Sequence, residues 1–138
     1  ANIPGVTYRR LLDADWTMLF ISEQVFGMTG FPASDFPNNL RRTFASVIHP
    51  EDRTEVEREV RAAVGTGRSW QVEYRVVHQD GTPRWVQERG TAVRDAGEGV
   101  RYLDGFIIDV TDRRRLDQEL RRLSRIAAQT DNVVIITD

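Results

Sequence analysis

An imidazole beside two carboxylates is the place in this chain where side-chain types crowd as they would for metal binding or acid–base work: His49-Pro50-Glu51-Asp52. The same four residues serve a helix start, because proline suits the first helical position and carboxylates meet orphan backbone donors at the positive end of the dipole. That local role accounts for every member of the group, so the helix reading is preferred. His78 stands just before Asp80-Gly81 and reads as exposed. Two histidines 29 positions apart make a poor start for a metal site. Other chemistries are limited by missing residues. The 138 residues include no cysteine and no lysine, and all 19 basic side chains are arginine. A thiol nucleophile, a thiolate metal site, a flavin–cysteinyl adduct, a disulfide, a Schiff-base lysine and a phosphate-loop lysine therefore have no residue to carry them. No motif assembles a nucleophile–base or carboxylate pair, so an enzyme is the least favoured reading.

Composition narrows the partners. With 40% hydrophobic and 29% charged residues the chain reads as a folded soluble protein, and no apolar run approaches a membrane span. A net charge of -2 argues against nucleic acid as a partner. The arginines of Arg113-Arg114-Arg115 and Arg121-Arg122 interleave with Asp112, Asp117 and Glu119, and read as a solvated helix flank.

Periodicity supplies the elements that must position these groups. Tyr8 to Leu12 and Thr17 to Ile21 read as short strands joined by Asp13-Ala14-Asp15. Ser22 stands where an N-cap would, and Gly30 where the short helix after it would stop. Phe31 to Asn39, with Pro32 and Pro37, reads as irregular or briefly helical. The clearest helix starts at His49-Pro50, buries Val56, Val60, Ala63 and Val64 on one face, and ends at Gly65-Thr66-Gly67. The period then falls to two, with Trp70, Val72, Tyr74 and Val76 alternating against Gln71, Glu73 and Arg75. Asp80-Gly81 turns into a strand over Arg84 to Val93, and Asp95 to Gly99 turns into another over Tyr102 to Val110. The sum is an α+β domain with a five-stranded antiparallel sheet and flanking helices. Thr111 can cap a C-terminal exit helix. On it Leu116, Leu120, Leu123 and Ala127 follow a four-three-four spacing, the seam of a coiled coil. The alternatives are a parallel dimer, which the narrow stripe favours, and a helix folded back on its own sheet. Asn132 to Thr137 is an abrupt β-branched run.

In order along the chain, Pro4-Gly5-Val6 with Tyr8, Ser22-Glu23, Thr29-Gly30-Phe31, His49-Pro50-Glu51-Asp52, Glu73-Tyr74-Arg75, Asp80-Gly81 with Arg84-Trp85-Val86, and Gly105 with Asp109-Val110-Thr111-Asp112-Arg113 resemble the PAS domains, in the subclass carrying a PAC segment. The resemblance covers Ile3 to about Leu120. It implies the PAS fold, with the long helix over the concave face of the sheet. It also implies a sensory or relay module of a larger bacterial signalling protein, such as a histidine kinase or a diguanylate cyclase. On that basis residues 1–111 are the PAS/PAC domain, 112–130 a signalling helix, and 131–138 the first strand of a following PAS domain. The resemblance implies signal relay at Asp109, Thr111 and Arg75, while the leucine spacing sets the dimer seam at Leu116, Leu120 and Leu123. Phe44, Val56, Val60, Trp70 and Tyr74 are the candidate pocket residues. The cofactor stays open: covalent flavin chemistry is excluded without cysteine, haem lacks a histidine between Pro50 and Val64, and a small organic ligand or none remains. The expected partners are a second copy and a downstream PAS or output domain, in the cytoplasm. The rival function is an architectural dimerisation domain that binds no ligand.

Overall fold

A computed structural model describes residues 5–97 and 99–129. Pro4 and the run from Asn132 to Thr137 lie outside the described residues. Five strands, β1 (Gly5–Arg10), β2 (Met18–Ile21), β3 (Trp70–Val77), β4 (Pro83–Arg94) and β5 (Val100–Asp109), form one antiparallel sheet in the order β2-β1-β5-β4-β3. Between β2 and β3 come α1 (Val25–Thr29), two 3-10 turns at Ala33–Asp35 and Phe44–Val47, and α2 (Arg53–Gly65). The chain leaves through α3 (Thr111–Gln129).

The core lies between the inner face of the sheet and α2. Val56, Val60, Ala63 and Val64 are all buried, as their spacing requires, and they meet Val6, Tyr8, Trp70, Tyr74, Val76, Val86, Leu103 and Ile107 from alternate strand positions. Gly81 takes the positive φ that the Asp80-Gly81 turn demands, and Asp80 accepts hydrogen bonds from the N–H and hydroxyl of Thr82. Gly30 ends α1 with φ of 83° and donates to the Phe26 carbonyl at 2.7 Å.

Four expectations are corrected, three of them because a long-range bond claims the side chain. Helix α2 begins at Arg53, with His49 and Pro50 in a preceding turn, because the Asp52 carboxylate accepts from Arg75 on β3 and makes no cap bond to its own helix. Ser22 does not cap α1; its hydroxyl accepts from the Thr7 N–H, 3.0 Å away on β1. Thr111 does not cap α3 either. Its hydroxyl accepts from the Trp85 N–H at 2.9 Å, and the Thr111 N–H is held instead by Asp109 at 2.8 Å. His78 is largely covered, its side chain 18% exposed, since the ring packs against Gly30. The first strand also runs earlier than its apolar stretch suggests, because β5 pairs with it along the whole of Gly5–Arg10.

Candidate functional site

The last strand and the exit helix meet at Asp109-Val110-Thr111, and the backbone locks that corner to β4. Val110 N–H donates to the Trp85 carbonyl at 2.7 Å, while the Trp85 N–H returns a bond to the Thr111 hydroxyl. Asp109 holds the first helical N–H through one carboxylate oxygen, and its other oxygen lies 3.7 Å from Arg84. The carboxylate therefore satisfies an orphan donor of α3 and pairs with β4 at once.

A second tie crosses the outer face of the sheet. Glu73 on β3 accepts from Arg113 at 2.6 Å, from Arg114 at 2.9 Å, and from Gln87 at 3.2 Å. The Arg114 guanidinium also lies 3.7 Å from the centre of the Trp85 ring, close enough for a cation–π contact. Arg113 and Arg114 are thus bound to the sheet, which corrects their reading as a solvated flank.

Arg75 extends this arrangement to the long helix. Its guanidinium makes a two-pronged pair with Asp52 at 2.8 and 3.0 Å, reaches Glu51 at 3.3 Å, and sits 5.6 Å from the Trp85 ring. The start of α2, strand β3, the Trp85 indole and the first turn of α3 are consequently joined by one run of contacts. Arg75, Asp109 and Thr111 all belong to it. Sequence reasoning missed Glu73, Trp85, Asp52 and Arg114; the available signal was that Glu73 and Arg75 share the outward parity of β3.

Electrostatics give this surface a pH signature. The Arg75 guanidinium holds the Asp52 carboxyl below its ordinary range, against a smaller opposing effect of burial. Burial pushes Glu73 up, but Arg113 and Arg114 outweigh it and leave Glu73 lowered as well. A carboxyl with a depressed folded-state pKa adds stability that is present above its unfolded pKa and is lost as pH falls through the folded one. The urea midpoint should therefore drop as pH is lowered from about 5 toward 2, below ordinary carboxyl values, and Asp52→Asn should flatten that drop. An unchanged acid profile in Asp52→Asn would refute the assignment.

The interior also holds a charged side-chain type that the sequence reading did not single out. Glu88 on β4 is 3% exposed, yet it accepts from three side chains: Tyr8 at 2.5 Å, Trp70 at 2.8 Å and Tyr74 at 2.6 Å. Burial first, and the neighbouring Glu88 second, hold both phenols well above their ordinary pKa, so they stay protonated donors. Arg10 closes the same interior at 2% exposed, with its guanidinium 4.4 Å from the Trp16 ring and donating to the Leu11 carbonyl. The candidate pocket residues Phe44, Val56, Val60, Trp70 and Tyr74 all sit in this core, each at most 4% exposed.

Beyond its first turn α3 leaves the domain. Leu116, Leu120 and Leu123 are 61%, 57% and 49% exposed, so the helix is not folded back over its own sheet. Among the described residues no helix is long and apolar enough to cross a membrane.

One antiparallel sheet wrapped around small helices, a long helix over its inner face and a C-terminal helix tethered at its first turn define an α+β module. The sequence model of the PAS fold matches residues 18–107, and the chain belongs to that family. It is 30% identical over 128 residues to the methyl sulfide methyltransferase-associated sensor of Methanosarcina acetivorans, a match covering 88% of this chain and 13% of the relative. It is 31% identical over 102 residues to the blue-light-activated histidine kinase of Brucella anthropi, covering 74% and 19%. Among solved structures, a sensory box histidine kinase/response regulator from Burkholderia thailandensis superposes with a TM-score of 0.71 at 28% identity, covering 92% of both chains. The N-terminal domain of a diguanylate cyclase with PAS/PAC sensor from Marinobacter aquaeolei matches with a TM-score of 0.69 at 23% identity, covering 80% of this chain and 98% of that one, a likeness of fold. The chain spans less than a fifth of the length of these curated relatives. It is a PAS domain of the kind found in signalling proteins.

Proposed function

We propose that this chain is a PAS sensory and signal-relay module that dimerises through α3 and passes conformational change through that helix to a downstream output domain. The observation supporting this is an asymmetry within one helix. Its first turn is bound to β3, β4 and β5 through Glu73, Trp85 and Asp109, while the leucine seam beyond it stands in water. Residues 1–111 form the domain, 112–130 the signalling helix, and 131–138 open a following PAS domain. The module acts in the cytoplasm and performs no catalysis itself. A signal need only favour one of two packings of the junction; a coupling of about 1–3 kcal/mol changes an equilibrium by roughly 5- to 150-fold.

The test uses the full-length protein and its output activity. Asp109→Ala and Thr111→Ala each remove a bond between sheet and helix, at a stability cost of about 1 kcal/mol for the lost cap or hydroxyl contact. Both should leave the domain folded and uncouple output from stimulus; intact regulation in both variants would sink the relay. The close packing of Phe44, Val56, Val60, Trp70 and Tyr74 favours the rival reading of a ligand-free architectural dimer. Native mass spectrometry of the purified chain separates the two, a retained small molecule supporting sensing.

A further inference from the structure

Counting outward from the leucine seam gives Arg113 an unexpected place. With Leu116 and Leu123 at d positions and Leu120 at a, Arg113 is itself an a residue, Asp112 the g before it and Asp117 the e after it. A second copy seated in parallel and in register sets each g residue against the e residue of the next heptad. Asp112 then faces Asp117 of the second copy on both sides of the seam, and like charges so placed oppose association. Arg113 is the cation lying between them. In the single chain that arginine is engaged elsewhere, bonded to Glu73 at 2.6 Å. Glu73 has a second arginine, Arg114 at 2.9 Å, which is also stacked on Trp85. Glu73 would therefore keep a partner if Arg113 left, and α3 would stay anchored.

We propose that Arg113 is shared between two sets of acceptors: Glu73 of its own sheet in the free chain, and the Asp112 and Asp117 carboxylates that a parallel second copy brings together. The inference rests on the dimer reading above and adds its selectivity. The exposed seam takes a second copy of this chain in parallel, and Glu73 is a positioning residue that competes with the interface for the cation. Loosening the Arg113–Glu73 contact and closing the first turn of the dimer become one event.

Sedimentation of the 138-residue chain across a concentration series tests this. Glu73→Gln removes the competitor and should tighten the dimer about threefold or more, while Arg113→Gln leaves the aspartates uncompensated and should weaken it by a similar factor, each effect shrinking at high salt. A purely structural role for Glu73 predicts no tightening. Leu120→Arg in the seam tests the dimer separately. If Leu120→Arg yields monomer while both charge variants stay within about twofold of the unaltered chain, short of the roughly threefold change that sharing requires, the dimer stands and the sharing is overturned. If the unaltered chain does not self-associate, both fall.

Discussion

Replacing Glu88 by alanine is expected to cost about 4 kcal/mol, because two phenol hydroxyls and one indole N–H lose their acceptor in an interior that water does not reach, each unmet donor costing about 1–3 kcal/mol. The three donors come from two different strands, Tyr8 from β1 and Trp70 and Tyr74 from β3, while Glu88 stands on β4. The loss is therefore felt across the sheet. Against a total stability of about 5–15 kcal/mol for a domain of this size, such a variant lies near the edge of folding. Glu88→Gln keeps one acceptor oxygen and should lose less. Urea unfolding at neutral pH gives the order: unaltered chain, then Glu88→Gln, then Glu88→Ala. A loss under about 1 kcal/mol in Glu88→Ala, the net worth of a single ordinary hydrogen bond, would show that the three donors find other partners.

The second large effect is steric. Tyr8, Gly105, Gly90 and Trp70 form one row across four strands, and the two glycines give the flanking aromatic rings room to lie over the sheet toward Glu88. A Cβ built on Gly105 would stand 2.3 Å from the Tyr8 ring, which has to move outright. Overpacking of about 1–3 kcal/mol adds to the loss of the buried Tyr8–Glu88 bond, so Gly105→Ala should cost about 3 kcal/mol or more. The check is a double variant. Adding Tyr8→Leu to Gly105→Ala removes the clash and should recover part of the midpoint shift, whereas simple additivity would mean the ring is not the obstacle.

These two residues show where sequence reading ended. The valines of α2 and the alternation of β3 were legible because both rest on local periods and both faces are cleanly divided. The β4 stretch carries a charged residue at an inner position, and a glutamate there is indistinguishable by type from the solvent-facing charges around it. Its parity with Val86 and Gly90 was the readable clue. At the junction Thr111 was legible as the cap, but its hydroxyl bonds to β4 and Asp109 holds the first helical N–H in exchange. Such exchanges follow from partners distant in sequence. Trp85 lies 26 residues before Thr111, Glu73 lies 40 before Arg113, and Asp52 gives up its own helix for Arg75, 23 residues on. A local cap and a distant bond call for the same residue types.

The strand order carries a consequence for how the chain is made. β1 and β2 form one antiparallel pair and β3 and β4 another, and only β5 joins them, pairing with β1 on one side and β4 on the other. During synthesis the two hairpins can emerge and close early, but the sheet is completed only when Val100–Asp109 has left the ribosome. A loop of some ninety residues must then be closed in a single step, the kind of long-range pairing that sets a slow folding rate. The exit helix follows immediately, so α3 is synthesised just after the element that makes the domain whole. Its seam becomes available to another chain at about the moment the domain beneath it can fold.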